Sequence, residues 1–204
     1  MLVNLEQLSA NNVYHLMTQT IIPRPIAWVL TDSGDQNYNL APFSYFTAVS
    51  SAPPLLMFSV GKKPDGSAKD TTVNVKQNKK LVIHIANSDQ SKAVTASAAT
   101  LEHGESELLS TGLETVEFEG FSLPRLKDCH IAFACTLFET QELGETPQTL
   151  IFAKIEHIYI NDEVINIDDK GRVKVLANKV NPLSRLGGSE YGSLGDIISN
   201  IRPK

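Results

Sequence analysis

Cysteine is nearly absent from this chain: Cys129 and Cys135 are the only two among 204 residues. Both fall in what reads as one long strand. Six positions apart on a regular strand, they share a face but lie about 20 Å apart, too far for a disulfide. A reducing compartment is the natural reading. Metal ligation lacks its pattern too, because none of the five histidines (His15, His84, His103, His130, His157) is spaced with a cysteine as a metal site requires. His84 and His157 sit in apolar strands and read as satisfied core or face residues. Cys129 and His130 are neighbours, so a strand points them to opposite faces and disfavours a nucleophile–base pair. Gly-x-Ser-x-Gly, Gly-x-Gly-x-x-Gly and Walker patterns are missing. No apolar run reaches membrane-spanning length. The start, Met-Leu-Val-Asn-Leu-Glu-Gln, lacks the basic-then-apolar form of a secretion signal. A cytoplasmic protein with no membrane partner is expected. Positive charge is also short, and a net charge of -5 argues against a nucleic-acid partner.

What is present fits one domain over residues 1–204, large enough for burial alone to stabilise it. Apolar patterning predicts strands at 26–31, 55–60 and 81–86, an extended run at 39–50, and two long strands at 129–143 and 149–161. A turn is expected at 32–37, and another at Asn161-Asp162 leading into 164–167. Helices are expected at 11–18, capped by Asn11 or Asn12, and from Asp70 or Thr71 to Lys80. A third, alanine-rich, should run from a Ser88-Asp89 cap to about Ala99. Short helical turns fit 105–109 and 194–201. Helices interrupting a β-rich framework predict one antiparallel barrel decorated by short helices.

Three segments carry candidate chemistry. Asn39-Leu-Ala-Pro-Phe-Ser-Tyr-Phe46 is too rich in proline, serine and aromatics for plain core. Pro42 removes a ladder donor, so neighbouring amides and the Ser44 hydroxyl could face polar atoms of a flat ring, with Phe43, Phe46 and Trp28 as candidate walls. Filling of the barrel by alternate aromatics would read the same way. Next, Lys69-Asp70-Thr71 opens a predicted helix, where unpaired N–H groups favour an anion. Lys62 and Lys63 add charge in the preceding loop. Asp70 reads as the cap, and an ordinary capped helix after a solvated loop fits equally. Third, the tail holds Arg185, the Gly187-Gly188 pair and Tyr191: an anion contact and a stacking ring, or a flexible turn with a surface ion pair. Glu102, Glu105, Glu107, Glu114, Glu117 and Glu119 read as a solvated acidic face.

Taken in order, Arg24-Pro-Ile-Ala-Trp-Val29, Asn39 to Phe46, the Pro53-Pro54 strand ending at Ser59, Lys69-Asp70-Thr71 and Arg185-Leu-Gly-Gly188 with Tyr191 resemble the flavin reductase-like family with the FMN-binding split-barrel fold. The resemblance spans nearly the whole chain. It implies a mainly β protein: a six-stranded antiparallel Greek-key barrel that forms a homodimer with FMN near the interface. In similar proteins the segment matching Asn39, Ala41, Pro42, Phe43 and Ser44 lies along the flavin ring and ribityl chain. Positions matching Ser59, Val60, Lys62, Lys69, Asp70 and Thr71 lie near the phosphate. The region matching Arg185 to Tyr191 closes over the flavin. The resemblance implies an FMN-dependent oxidoreductase, with NAD(P)H as transient hydride donor and free flavin or another acceptor receiving the electrons. It assigns no catalytic side chain and no metal. One departure favours a non-catalytic, flavoredoxin-like electron or flavin carrier. Nicotinamide-using members carry an Asp-His-x-x-x-x-Gly-like run entering a late strand, and here that place reads Thr146-Pro-Gln-Thr-Leu-Ile-Phe-Ala153.

Overall fold

The computed structural model describes all residues except 35–36, 103–104, 202 and 204. His103 and part of the turn expected at 32–37 therefore lie outside the described residues.

Seven strands form one sheet: β1 (Ala27–Gly34), β2 (Asn37–Phe43), β3 (Phe46–Ser51), β4 (Pro54–Val60), β5 (Lys80–Ile85), β6 (Ile131–Leu143) and β7 (Gln148–Ile160). Their spatial order is β2-β1-β5-β6-β7-β4-β3, and every neighbouring pair is antiparallel. The Ser59 amide donates to the Tyr45 carbonyl at 2.9 Å, so the sheet curls until the β2–β3 link meets β4. Six strands frame the expected split barrel, and β3 adds a seventh at its outer edge. That extra strand comes from the 39–50 run, which bends at Ser44-Tyr45 instead of continuing as one extended piece.

Period-two alternation explains the two cores. On β1, Ala27 and Val29 point into one cluster with Val60, Leu81, Ile83, Cys135 and Ile151. Trp28 and Leu30 point the other way, into a second cluster with Val82, Leu126, Ala132 and Ala134. Both faces of β1 are thus covered, as an unbroken apolar run requires.

Among the described residues five α-helices attach to this frame: α1 (Ala10–Thr20), α2 (Asp70–Asn78), α3 (Ser91–Ala96), α4 (Glu107–Thr111) and α5 (Ala177–Val180). The cap of α1 is Ser9, not Asn11 or Asn12; its hydroxyl accepts the Asn12 N–H at 3.3 Å. For α2 the capping position falls on Lys69, which makes no side-chain capping bond, while Asp70 pairs with Lys63 at 2.9 Å. The alanine-rich helix is shorter than expected. A 3-10 turn at Ser88–Gln90 precedes α3, and Ser97 leaves the helix to accept the Trp28 indole N–H at 2.9 Å. Residues 194–201 are not helical; Ile197, Ile198 and Ile201 are exposed, so no burial stabilises a helix there. Cys129 lies before β6, not on it. Among the described residues both cysteines are free and buried, and burial pushes the Cys129 thiol up to about 12. No helix of the described residues is long and apolar enough to cross a membrane.

His84 is fully buried on β5. Its Nδ1 lies 3.0 Å from the Trp28 carbonyl, and its Nε2 accepts the Leu126 N–H at 2.9 Å. One nitrogen must donate and the other accept, which selects the neutral ring protonated at Nδ1. Burial drives its pKa down to about 4, with the Arg125 charge lowering it further and the Trp28 contact opposing. The unfolded chain binds a proton below about pH 6.5 that the folded chain refuses, so stability is complete above that pH and falls as pH drops toward 4. The expected loss is about 3 kcal/mol, read as the slope of urea-unfolding free energy against pH. His84→Asn, which can still donate to Trp28, should flatten that slope. An unchanged slope would refute the assignment.

Candidate functional site

Two adjoining clefts open at one end of the barrel. The larger is a groove of about 760 Å³ between the Pro42–Tyr45 bend, Ser59, the 61–69 loop and the Glu145–Gln148 turn. That volume lies within the roughly 300–1,000 Å³ of small-molecule sites. A smaller pit of about 70 Å³ lies beneath Asn39, Ala41, Asp70, Thr71, the 97–101 segment and Glu107. Pro42, Phe43, Lys63 and Lys69 line both, so the two are continuous.

The 61–69 loop is a tight turn. Gly66, at φ +84°, closes it by donating from its amide to the Lys63 carbonyl at 2.9 Å. The turn delivers the chain to the start of α2, which buried polar side chains fix to the sheet. Thr71 accepts the Asn39 amide N–H at 3.0 Å. The Asn74 amide donates to Thr31 at 3.1 Å and to Ser33 at 3.0 Å. Thr71, Asn39, Asn74 and Thr31 are all buried. Buried amides without partners are costly, so this set holds the first turn of α2 in one position against β1 and β2.

Positive charge at the clefts is unequally engaged. Lys63 pairs with Asp70, and Lys62 leans toward Glu142 at 3.3 Å. Lys69 lies 6.0 Å from the Phe43 ring centroid and has no carboxylate in ion-pair range among the described residues. It is therefore the available cation where the groove meets the pit.

Most sequence-predicted site residues gather here: Asn39, Ala41, Asp70 and Thr71 at the pit, Ser44, Ser59 and Lys62 at the groove, and Pro42, Phe43 and Lys69 at both. Val60 faces the barrel core and is fully buried. Trp28 is core, not a wall, because both its ring and its N–H are enclosed. Phe46 is half-buried against the inner cluster and lines neither cleft. Arg185 donates to the Glu190 carbonyl at 3.0 Å and to the Gly188 carbonyl, and stacks 4.7 Å from the Tyr191 ring centroid. Neither Arg185 nor Tyr191 lines these clefts. Gly187 lies under the exposed Gln19 side chain, whose oxygen a Cβ there would meet at 2.0 Å unless that flexible chain swung away.

Sequence reasoning missed three contributors. Glu107, read as part of a solvated face, is 5% exposed, and its Oε2 accepts the Leu40 N–H at 2.8 Å. Burial raises its carboxyl above the ordinary range, the Leu40 N–H opposes this, and the Asp70 charge adds to it. Thr146, Pro147 and Gln148, at the place of the departed Asp-His run, line the groove. His157 lies elsewhere, in a surface hollow with Arg125 and Tyr159. Finally, Arg24 is 5% exposed. Its guanidinium donates to the carbonyls of Thr18 and Ile21 at 2.6 Å each and of Leu186 at 2.9 Å. Ser44 Oγ lies 3.5 Å from Arg24 Nε. No local pattern marks Glu107; only the pairing of distant segments does.

The class of fold is a split barrel with a polar groove beside a lysine-bearing helix start. Residues 17–176 match the flavin reductase like domain, and the chain belongs to that family of flavin-related oxidoreductases. It is 36% identical to the Bacillus subtilis protein YwrF over 203 residues, covering 97% of each chain. It is similar to nitrilotriacetate monooxygenase component B from Bacillus cereus, at 31% identity, TM-score 0.88 and 98% coverage of both chains. The Pseudomonas fluorescens 2-nitrobenzoate 2-nitroreductase NbaA shares the fold at TM-score 0.88 and 24% identity, over 100% of this chain and 96% of its own.

Arg24 ties α1, the tail and the Ser44 bend together. Arg24→Met should destabilise the protein by about 3–5 kcal/mol, because three carbonyls lose a charged donor. The urea midpoint reads this directly. A lysine replacement should recover only part, since an ammonium cannot present the planar fork.

Proposed function

We propose that this protein is an FMN-dependent oxidoreductase that takes a hydride from NAD(P)H and passes electrons to free flavin or another acceptor. The observation that carries this reading is the junction of the two clefts. A groove large enough for a flat ring system opens onto a helix start that carries an available lysine, Lys69, and the buried Thr71. The donor set fits the cofactor. Lys69 and the first-turn amides of α2 would hold the phosphate, because an ammonium and the positive end of a helix both favour an anion. The Pro42–Tyr45 bend and Ser59 would border the ring, with Phe43 as an apolar wall. Lys62 would contribute at the groove margin, its charge shared with Glu142.

Bound FMN would supply the redox chemistry. The chain's own residues would orient the ring and keep water from one face of it. Main-chain donors near Ser44 would face the polar edge of the ring and favour negative charge there. Arg185 and Tyr191 would act from the partner subunit of a cytoplasmic homodimer. Exposed Tyr14, Met17, Ile21, Ile22 and Val49 support an apolar interface around α1 and β3.

A second reading is a non-catalytic electron or flavin carrier. It is favoured by Thr146, Pro147 and Gln148, which stand at the groove where nicotinamide-using members carry their Asp-His run. Anaerobic addition of NADH or NADPH separates the two: rapid bleaching of bound flavin supports the reductase, and a flavin that stays oxidised supports the carrier. Lys69→Glu should weaken FMN binding by ~10–100-fold with an unchanged far-ultraviolet circular dichroism spectrum. Unaltered affinity in a fluorescence titration would remove the phosphate assignment.

A further inference from the structure

Glu107 is the one buried acidic residue among the described residues. Its Oε2 accepts the Leu40 N–H at 2.8 Å, and its own backbone N–H also favours the carboxylate. Ser106, beside it, donates from its hydroxyl to the Tyr38 carbonyl at 2.5 Å. These two bonds dock the start of α4 on β2, the strand at the open end of the sheet order. The Glu107 carboxylate therefore has a docking role that needs only one oxygen as an acceptor. A proton on the other oxygen would leave that bond intact.

The charged groups that line the pit with Glu107 are Asp70 and Lys69, from α2 and its capping position, and Lys63, from the preceding loop. The pit lining from β2 (Asn39, Ala41, Pro42, Phe43) and from the 97–101 segment (Ser97, Ala98, Ala99, Thr100, Leu101) is neutral. Glu105, on Glu107's own segment, bonds back to the Glu102 amide. Lys63 is engaged by Asp70 at 2.9 Å, and Lys69 lines the same pit as Glu107. A phosphate adds roughly −1.5 to −2 charges. Seated against Lys69, it would share a small pit with the buried Glu107 carboxylate, and like charges that close are expensive.

We infer that Glu107 is a proton-coupled positioning residue, taking a proton from solvent when a phosphorylated flavin seats against Lys69 and returning it when the flavin leaves. This rests on the flavin reading of the clefts. Burial already favours the neutral carboxyl, and the bound phosphate extends that preference toward neutral pH. A protonated Glu107 keeps Oε2 as acceptor for Leu40, so β2 stays docked. Riboflavin, which lacks the phosphate, gives no such coupling. The phosphate itself loses protons on approaching Lys69, so its own titration has the opposite sign.

Calorimetric titration of the purified protein with FMN and with riboflavin, at pH 7 in two buffers of different ionisation enthalpy, counts the protons. Expected is a net uptake of up to one proton with FMN and none with riboflavin. Glu107→Gln, which retains an acceptor for Leu40, should abolish the uptake. It should also flatten the pH dependence of FMN affinity, whose steepest linked slope for one proton is about tenfold per pH unit. Equal proton counts for FMN and riboflavin in the unaltered protein, or for FMN in the protein and the glutamine variant, would overturn the inference and leave the flavin reading standing. Should the variant fail to fold, the FMN–riboflavin comparison decides alone. Failure of both flavins to bind would overturn the flavin reading and this inference together.

Discussion

The start of α2 is tied to the sheet by buried polar side chains. Its first turn presents Thr71 inward to the Asn39 amide, and one turn later Asn74 reaches Thr31 and Ser33 on β1. These groups are held in a buried environment where an unmatched amide or hydroxyl would be expensive. The helix is thereby fixed in register with two adjacent strands. Everything at the clefts follows from that placement: Lys69 at the junction, Asp70 turned to Lys63, and the tight 61–69 loop forming one wall of the groove.

The groove owes its other wall to a bend. Had residues 39–50 run as one strand, Phe43 to Phe46 would have alternated between core and solvent. Instead the chain turns at Ser44-Tyr45, and the Tyr45 carbonyl receives the Ser59 amide across the gap. Arg24 braces the same region from beneath, joining the end of α1 to the tail loop at Leu186. The two opposed faces of β1 then separate the barrel interior from the outer core, where His84 and Trp28 are locked together as neutral partners.

Much of this was legible in the sequence where the signal is local. Apolar alternation and runs placed β1, β4, β5, β6 and β7 to within a few residues, because burial on one or two faces leaves a periodic trace. The Lys69-Asp70-Thr71 helix start was legible from charge and capping chemistry, although the cap itself fell one residue earlier than Asp70. What stayed hidden depends on tertiary pairing. Glu107 looks like its exposed neighbours, and only the return of α4 onto β2 buries it. Ser9 outcompetes Asn11 and Asn12 as a cap because of where the chain enters α1. Trp28 looks like a ligand wall by its residue type, yet Ser97 claims its indole N–H. The 194–201 segment has helical apolar spacing without a surface in this chain to bury it.

If the joined clefts bind a phosphorylated flavin, the purified protein carries its visible absorption spectrum, and mass determination identifies the released ligand. Expected is a flavin spectrum, present on purification or restored by added FMN, and a released mass equal to that of FMN. A protein that stays colourless after dialysis against excess FMN would contradict it.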